Sequence, residues 1–238
     1  MLKQTLTDSW YFFKEHAAAI SLIILPIVIP LVIFTALYQY FLTSEKFVFT
    51  EQLIPMVIGI AAYPVYTIGV VFYIASIISG EYLDTKTLWK LGIKFWLPYI
   101  VLSIFAGVVV TLGLILLVIP GVLFAIRFSF SEFDLLLNQS KPIDAMRNSW
   151  AATKEHMWEI LGGLVIISVA LYAPYYLVSS LFDKSSISYW ALDTVSDIAY
   201  SVLSVLYTIF LFRVYVFAKS QHNQSLNPDA PNSGAPVS

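Results

Sequence analysis

A chain of 238 residues with 59% hydrophobic side chains and only 12% charged ones is not an ordinary soluble domain, which keeps about a quarter of its residues charged. A mean hydropathy of +0.80 demands an apolar solvent, and the net charge of −2 says nothing about partners. With no cysteine, a disulfide framework, thiolate chemistry and a cysteine-ligated metal are all excluded.

In chain order, Met1–His16 carries Lys3, Asp8, Lys14 and Glu15, while Leu2, Leu6, Trp10 and Phe13 recur on one helical face. Two readings fit: an amphipathic helix on the membrane surface anchored by Trp10, or a cytoplasmic extension of the first span. Ala17–Phe41 is uncharged and long enough to cross a hydrocarbon core of about 30 Å, with Pro26 and Pro30 expected to kink it. It is too long for the apolar core of a signal peptide, so it is expected to remain in the mature protein. A polar loop at Leu42–Gln52 leads to a second span, Leu53–Ser79, with Pro64 inside. The loop Gly80–Lys94 precedes the third span, Phe95–Ile119. Pro120-Gly121 reads as a hairpin turn, because proline disfavours helix before it and glycine tolerates tight backbone. Pro120–Leu137 is then the fourth span, Asn138–Trp158 a polar amphipathic helix on the surface anchored by Trp150, Glu159–Phe182 the fifth span and Trp190–Ala218 the sixth. Ser220–Ser238 has the composition of a disordered tail. The fold class is therefore all-α: one polytopic membrane domain over residues 1–219, with six transmembrane helices plus short cytoplasmic interfacial helices.

Six spans place both termini on one side. That side collects Lys3, Lys14, Lys86, Lys90, Lys94, Lys141, Arg147, Lys154, Arg213 and Lys219, while the other holds Lys46 and Lys184. Ten against two is a strong positive-inside bias, so both termini are expected in the cytoplasm and Pro120-Gly121 outside.

Ser9-Trp10 with Lys14-Glu15-His16 recurs as Ser149-Trp150 with Lys154-Glu155-His156, and Leu88-Trp89-Lys90 is a looser cousin. Units of one surface helix and one hairpin would begin near residues 1, 83 and 141. Duplication is one reading. Convergence of surface helices on Trp and Lys is the other, although it leaves Glu-His unexplained.

Leu112–Gly121 (LGLILLVIPG), the run Asp144-Ala145-Met146-Arg147-Asn148-Ser149-Trp150 and Leu211-Phe212-Arg213-Val214-Tyr215 together resemble the YciC-like family of bacterial inner-membrane proteins, over roughly residues 1 to 219. The hairpin and following helix also resemble the membrane region attached to some glycerophosphodiester phosphodiesterases. There the chemistry belongs to a separate soluble barrel, which this sequence does not contain, so that activity is not implied. The YciC-like resemblance implies an inner-membrane location and no catalytic residues.

No metal or catalytic motif stands out. His16, His156 and His222 lack close ligand spacing, there is no glycine-rich phosphate loop, and Ser103, Ser168 and Ser204 have no His or Lys neighbour. Basic residues are interleaved with acids, which argues against nucleic acid as a partner. No cofactor is expected; the partners are the lipid bilayer and proteins of the envelope. The ions within spans are the candidate network: Arg127, Glu132, Asp134, Asp193, Asp197 and Arg213. Equal depth from the outer surface pairs Arg127 with Asp197, or with Asp193 as second choice. Glu132 or Asp134 would face Arg213. A bridge that fixes helix packing is one role for Arg127, and binding an anionic lipid or solute is the other. The function expected is a non-enzymatic structural or binding component of the cell envelope, the alternative being a transporter or lipid- or amphiphile-handling protein.

Overall fold

Long runs of Leu, Ile, Val and Phe give long helices, and the computed structural model is all-helical over the residues it describes: 2–42, 49–182 and 186–226. The order is α1 (Leu2–Leu42), α2 (Phe49–Ser79), α3 (Thr85–Lys94), α4 (Trp96–Leu116), α5 (Val118–Arg127), α6 (Ser131–Leu137), α7 (Pro142–Ala152), α8 (Met157–Ser179), α9 (Ile187–Leu203) and α10 (Val205–Leu226). Five runs are long and apolar enough to cross a bilayer: those in α1, α2, α4 and α8, and Ser188–Gln221 across α9 and α10. Much of the expected loops Leu42–Gln52 and Asp183–Tyr189 (residues 43–48 and 183–185) and tail residues 227–238 lie outside the described residues.

Four expectations change. The N-terminal segment is not a separate surface helix: α1 is one helix of 41 residues, so Met1–His16 is an extension of the first span from Leu2 onward. Pro26 and Pro30 both lie inside that helix. The hairpin does not turn at Pro120-Gly121. It turns at Leu117, whose extended φ of −160° and ψ of 142° separate α4 from α5. Pro120 then falls in the first turn of α5, where its missing N–H would have had no helical partner. Gly121 instead permits close packing, since a Cβ there would sit 2.6 Å from the Leu114 backbone nitrogen. The fourth span is not one helix but two, α5 and α6, interrupted at residues 128–130. The arm nevertheless retraces α4, with Gly121 against Gly113 and Glu132 against Tyr99. Finally, α10 continues through Leu226, past the expected start of the tail at Ser220.

The core sits at one end of the bundle. Buried side chains come from residues 12–28 of α1, 68–74 of α2, 99–102 of α4, 160–167 of α8 and 205–218 of α10, with α3, α6 and α7 packed among them. The remaining halves of the long helices are apolar and open: Ile33, Leu37, Ile54, Val57, Ile115, Ile119, Val169 and Leu177 are all exposed. Lipid is the only solvent that suits such a surface. At the start of α3 the Thr87 hydroxyl donates to the Asp84 carboxylate and holds its pKa below the ordinary value.

Three helices carry a proline and an interhelical bond in the same register. A proline leaves the carbonyl four residues upstream of it without its helical N–H. Trp89 Nε1 donates to the Ile23 carbonyl (3.0 Å), three residues before Pro26. Trp96 Nε1 donates to Ala61 (2.7 Å), three before Pro64, and the Tyr200 hydroxyl to Leu171 (2.6 Å), three before Pro174. Each of these carbonyls, one residue along from the one that the proline leaves without a donor, accepts from an aromatic side chain of another helix. Trp96→Phe is therefore expected to cost about 1 kcal/mol. Reversible unfolding in mixed micelles measures this, and an unchanged stability would refute a contribution from the bond.

Candidate functional site

The polar groups gather where the α5–α6 arm meets α7. At the interruption, Ser129 N–H bonds Ile126 O (3.2 Å) and Ser131 N–H bonds Phe128 O (3.0 Å), both three residues back rather than four. This leaves Arg127 C=O and Phe130 N–H without helical partners. Ser149 of α7, 1% exposed, satisfies both: its Oγ donates to Arg127 O (2.6 Å) and accepts from Phe130 N–H (3.1 Å). Thr153 also reaches Arg127 O, at 3.4 Å. The break is thus held open by one side chain of a neighbouring helix.

The Arg127 side chain turns to the same helix. Its Nη1 donates to Trp150 O (3.2 Å) and its guanidinium lies over the Trp150 ring at 5.2 Å, with Phe124 and Phe128 packed against that ring. Its Nε is enclosed without a partner. The expected pair with Asp197 or Asp193 does not form. Arg127 is carried to α7 because α5 ends there, and Asp193 accepts from the Tyr175 hydroxyl (2.6 Å) on α8. Asp197 is exposed, with no carboxylate partner among the described residues.

Glu132 and Asp134 do not face Arg213. Glu132 accepts from the Tyr99 hydroxyl (3.0 Å). Asp134 accepts from Asn138 (2.6 Å) and Asn148 (2.8 Å). Asn138 also donates to the Tyr215 hydroxyl (3.0 Å), and Lys219 donates to Asn138 Oδ1 (3.0 Å), so α6, α7 and α10 share one polar network. Arg213 points instead to Asp8 on α1, 3.8 Å away, and lies over Phe12. That pair is partly exposed and contributes at most about 1 kcal/mol. Trp10 and Trp150 are 46% and 38% exposed.

A cleft of about 530 Å³ opens between α6, α7 and α10, lined among others by Asp134, Asn148, His156, Tyr215 and Lys219. Among the described residues no group of three or more histidines and carboxylates could hold a metal. The two related motifs diverge in shape. In α1 the stretch from Ser9 to His16 is continuous helix, with Ser9 Oγ bonded to Thr5 O (2.6 Å) and His16 Nδ1 to the Tyr73 hydroxyl (2.9 Å). In the second motif the helix ends at Ala152, and His156 lies 3.8 Å from Glu159.

Residues 43–217 match a family described as an uncharacterised protein family, UPF0259. The chain is a UPF0259 protein. The UPF0259 match takes in α2 to α9 and most of α10, including the α5–α6 break, Ser149, Arg127 and the Asp134 network. No solved structure matches the chain. For this UPF0259 chain, sequence reasoning missed Ser149, Asn138, Asn148 and Tyr99 as partners. The available signal was the number of ionisable residues in one return arm, which had to find donors on the helices packed against it.

Proposed function

We propose that this protein is a multi-pass protein of the bacterial inner membrane that serves as a non-enzymatic structural or binding component of the envelope. The observation that carries the reading is the use made of the polar groups around the α5–α6 break. Ser149, Asp134, Asn138 and Asn148 spend their hydrogen bonds joining α5, α6, α7 and α10. Such bonds fix one arrangement of helices, and the open apolar halves of α1, α2, α4 and α8 then present a set surface to lipid or to other membrane helices. Photo-crosslinkers placed at exposed positions such as Ile115 and Val169 are expected to trap a recurrent membrane-protein adduct in cells.

The cleft beside Lys219 favours a second reading, the handling of an amphiphile. Movement of a fluorescent phospholipid between leaflets, by purified protein in liposomes, would establish that reading over the first.

Both termini are cytoplasmic in this proposal. The α5–α6 arm brings the chain back along α4, which supports an even number of crossings, and the ten-to-two basic asymmetry supports the direction. Because the chain has no cysteine, single Cys variants test it directly. Lys184→Cys and Ile119→Cys should react with an impermeant maleimide in intact spheroplasts, and Lys90→Cys only after the membrane is opened. The reverse pattern would overturn the threading.

A further inference from the structure

The helix α7 has three faces with different duties. Ala145, Ser149 and Thr153 are buried against α5 and α6. Asn148 and, in the turn after the helix, Glu155 line the cleft. The third face carries Ile143, Arg147 and Trp150, at spacings of four and three; all are exposed, as is Lys154 in the following turn, which also borders the cleft, and Trp158 beyond them is 75% exposed.

Arg127 lies under the middle of that third face. It makes one hydrogen bond to protein, to Trp150 O, and has no ion-pair partner among the described residues. Its Nε is enclosed and its Nη1 is bonded, so the open edge of the guanidinium is its Nη2 side. Arginine keeps its proton in any surroundings, and a guanidinium beside lipid therefore needs an anionic oxygen. Its planar fork matches phosphate. The ring of Trp150, flanked by Phe124 and Phe128, gives the apolar seat that a glycerol backbone and upper acyl chains require.

From this juxtaposition we infer that the Arg127–Trp150 corner, rimmed by Arg147 and Lys154, binds the phosphodiester headgroup of an anionic phospholipid. The guanidinium takes the phosphate oxygens, Arg147 and Lys154 supply the surrounding positive field, and the indole covers the start of the acyl chains. The assignment rests on α7 lying at the bilayer surface. That placement is checked separately: Trp150 fluorescence, read in a chain whose other tryptophans are phenylalanine, should be quenched more by shallow than by deep lipid-borne quenchers. Failure there removes the surface placement. Failure below removes the site.

The test uses full-length protein in phosphatidylcholine nanodiscs, with phosphatidylglycerol added as a minor component and retained lipid counted by native mass spectrometry. The wild type is expected to retain phosphatidylglycerol in preference to phosphatidylcholine. Arg127→Gln should weaken this by about fivefold or more, and Arg147→Gln or Lys154→Gln by less. Arg127→Lys keeps the charge and guards against simple misfolding; it should retain intermediate preference. Preference unchanged in Arg127→Gln while Arg147→Gln abolishes it would show a diffuse surface attraction and overturn the site. Protection of the wild type by inorganic phosphate or glycerol phosphate in pure phosphatidylcholine discs, equal to that by phosphatidylglycerol, would overturn the lipid assignment in favour of a free phosphate.

Discussion

Replacing Ser149 by alanine should lower the stability of the folded protein by about 2–4 kcal/mol, although the change removes a single oxygen. Alanine leaves Phe130 N–H with no partner and Arg127 C=O with only the long Thr153 bond. Each buried orphan costs about 1–3 kcal/mol. The surroundings offer no water to substitute, since Phe130 is fully buried and Ser149 nearly so. Ser149→Thr, which keeps the oxygen, should cost less than Ser149→Val, which is similar in volume and lacks it. Reversible unfolding in mixed micelles, with hydrogen exchange at Phe130 as a local probe, measures the difference. Equal losses in the threonine and valine variants would mean that packing and not hydrogen bonding governs the position.

The second large effect is expected at Gly92. A Cβ there would lie 2.3 Å from the carbonyl oxygen of Val65 and 3.1 Å from the carbon, both backbone atoms of α2. No rotamer change relieves such a contact, so α3 must move off α2, breaking the close fit of Leu88 beside Gly69. Gly92→Ala should therefore cost about 1–3 kcal/mol or more, against a helix-propensity gain of about 1 kcal/mol. Gly107 has nothing within 4 Å of an added Cβ, so Gly107→Ala is the matched control and should be neutral or stabilising. A Gly92→Ala protein as stable as the Gly107→Ala one would show that α3 is not held against α2 in the membrane.

Much of the architecture was legible in the residues because bilayer thickness and backbone satisfaction leave few choices. The apolar runs around Ile23, Ile68, Leu102 and Ile167 all became helices of spanning length, in the order read. A helix formed within Asn138–Trp158, at Pro142–Ala152, with Pro142 in its first turn. What did not carry over was anything set by side-chain donors on other helices. Pro120 looked like the turn because proline ends helices, yet a first-turn proline loses no bond, and Leu117 turns instead. The pairing of Arg127 with Asp197 rested on depth alone. Depth counted from the end of a straight helix fails once the helix is broken at residues 128–130 and drawn to α7 by a serine. Pairings of Asp134 with two asparagines, and of the Ile23, Ala61 and Leu171 carbonyls with Trp89, Trp96 and Tyr200, depend on which helices adjoin, and linear spacing does not encode that.

Concentrating the core at one end has a consequence for how the protein meets membranes of different thickness. The residues that would have to move when hydrocarbon thins or thickens are those of the open halves, such as Ile33, Ile54, Ile115 and Val169, and these side chains are exposed on the surface of the bundle. Changing their tilt breaks little, whereas the end containing Phe130, Phe133 and Phe210 is packed on all sides and stays as it is. Adjustment to hydrophobic mismatch, which normally costs fractions of a kcal/mol per ångström, is thus confined to one leaflet. The protein should keep its stability across acyl-chain lengths that unsettle bundles packed evenly from face to face.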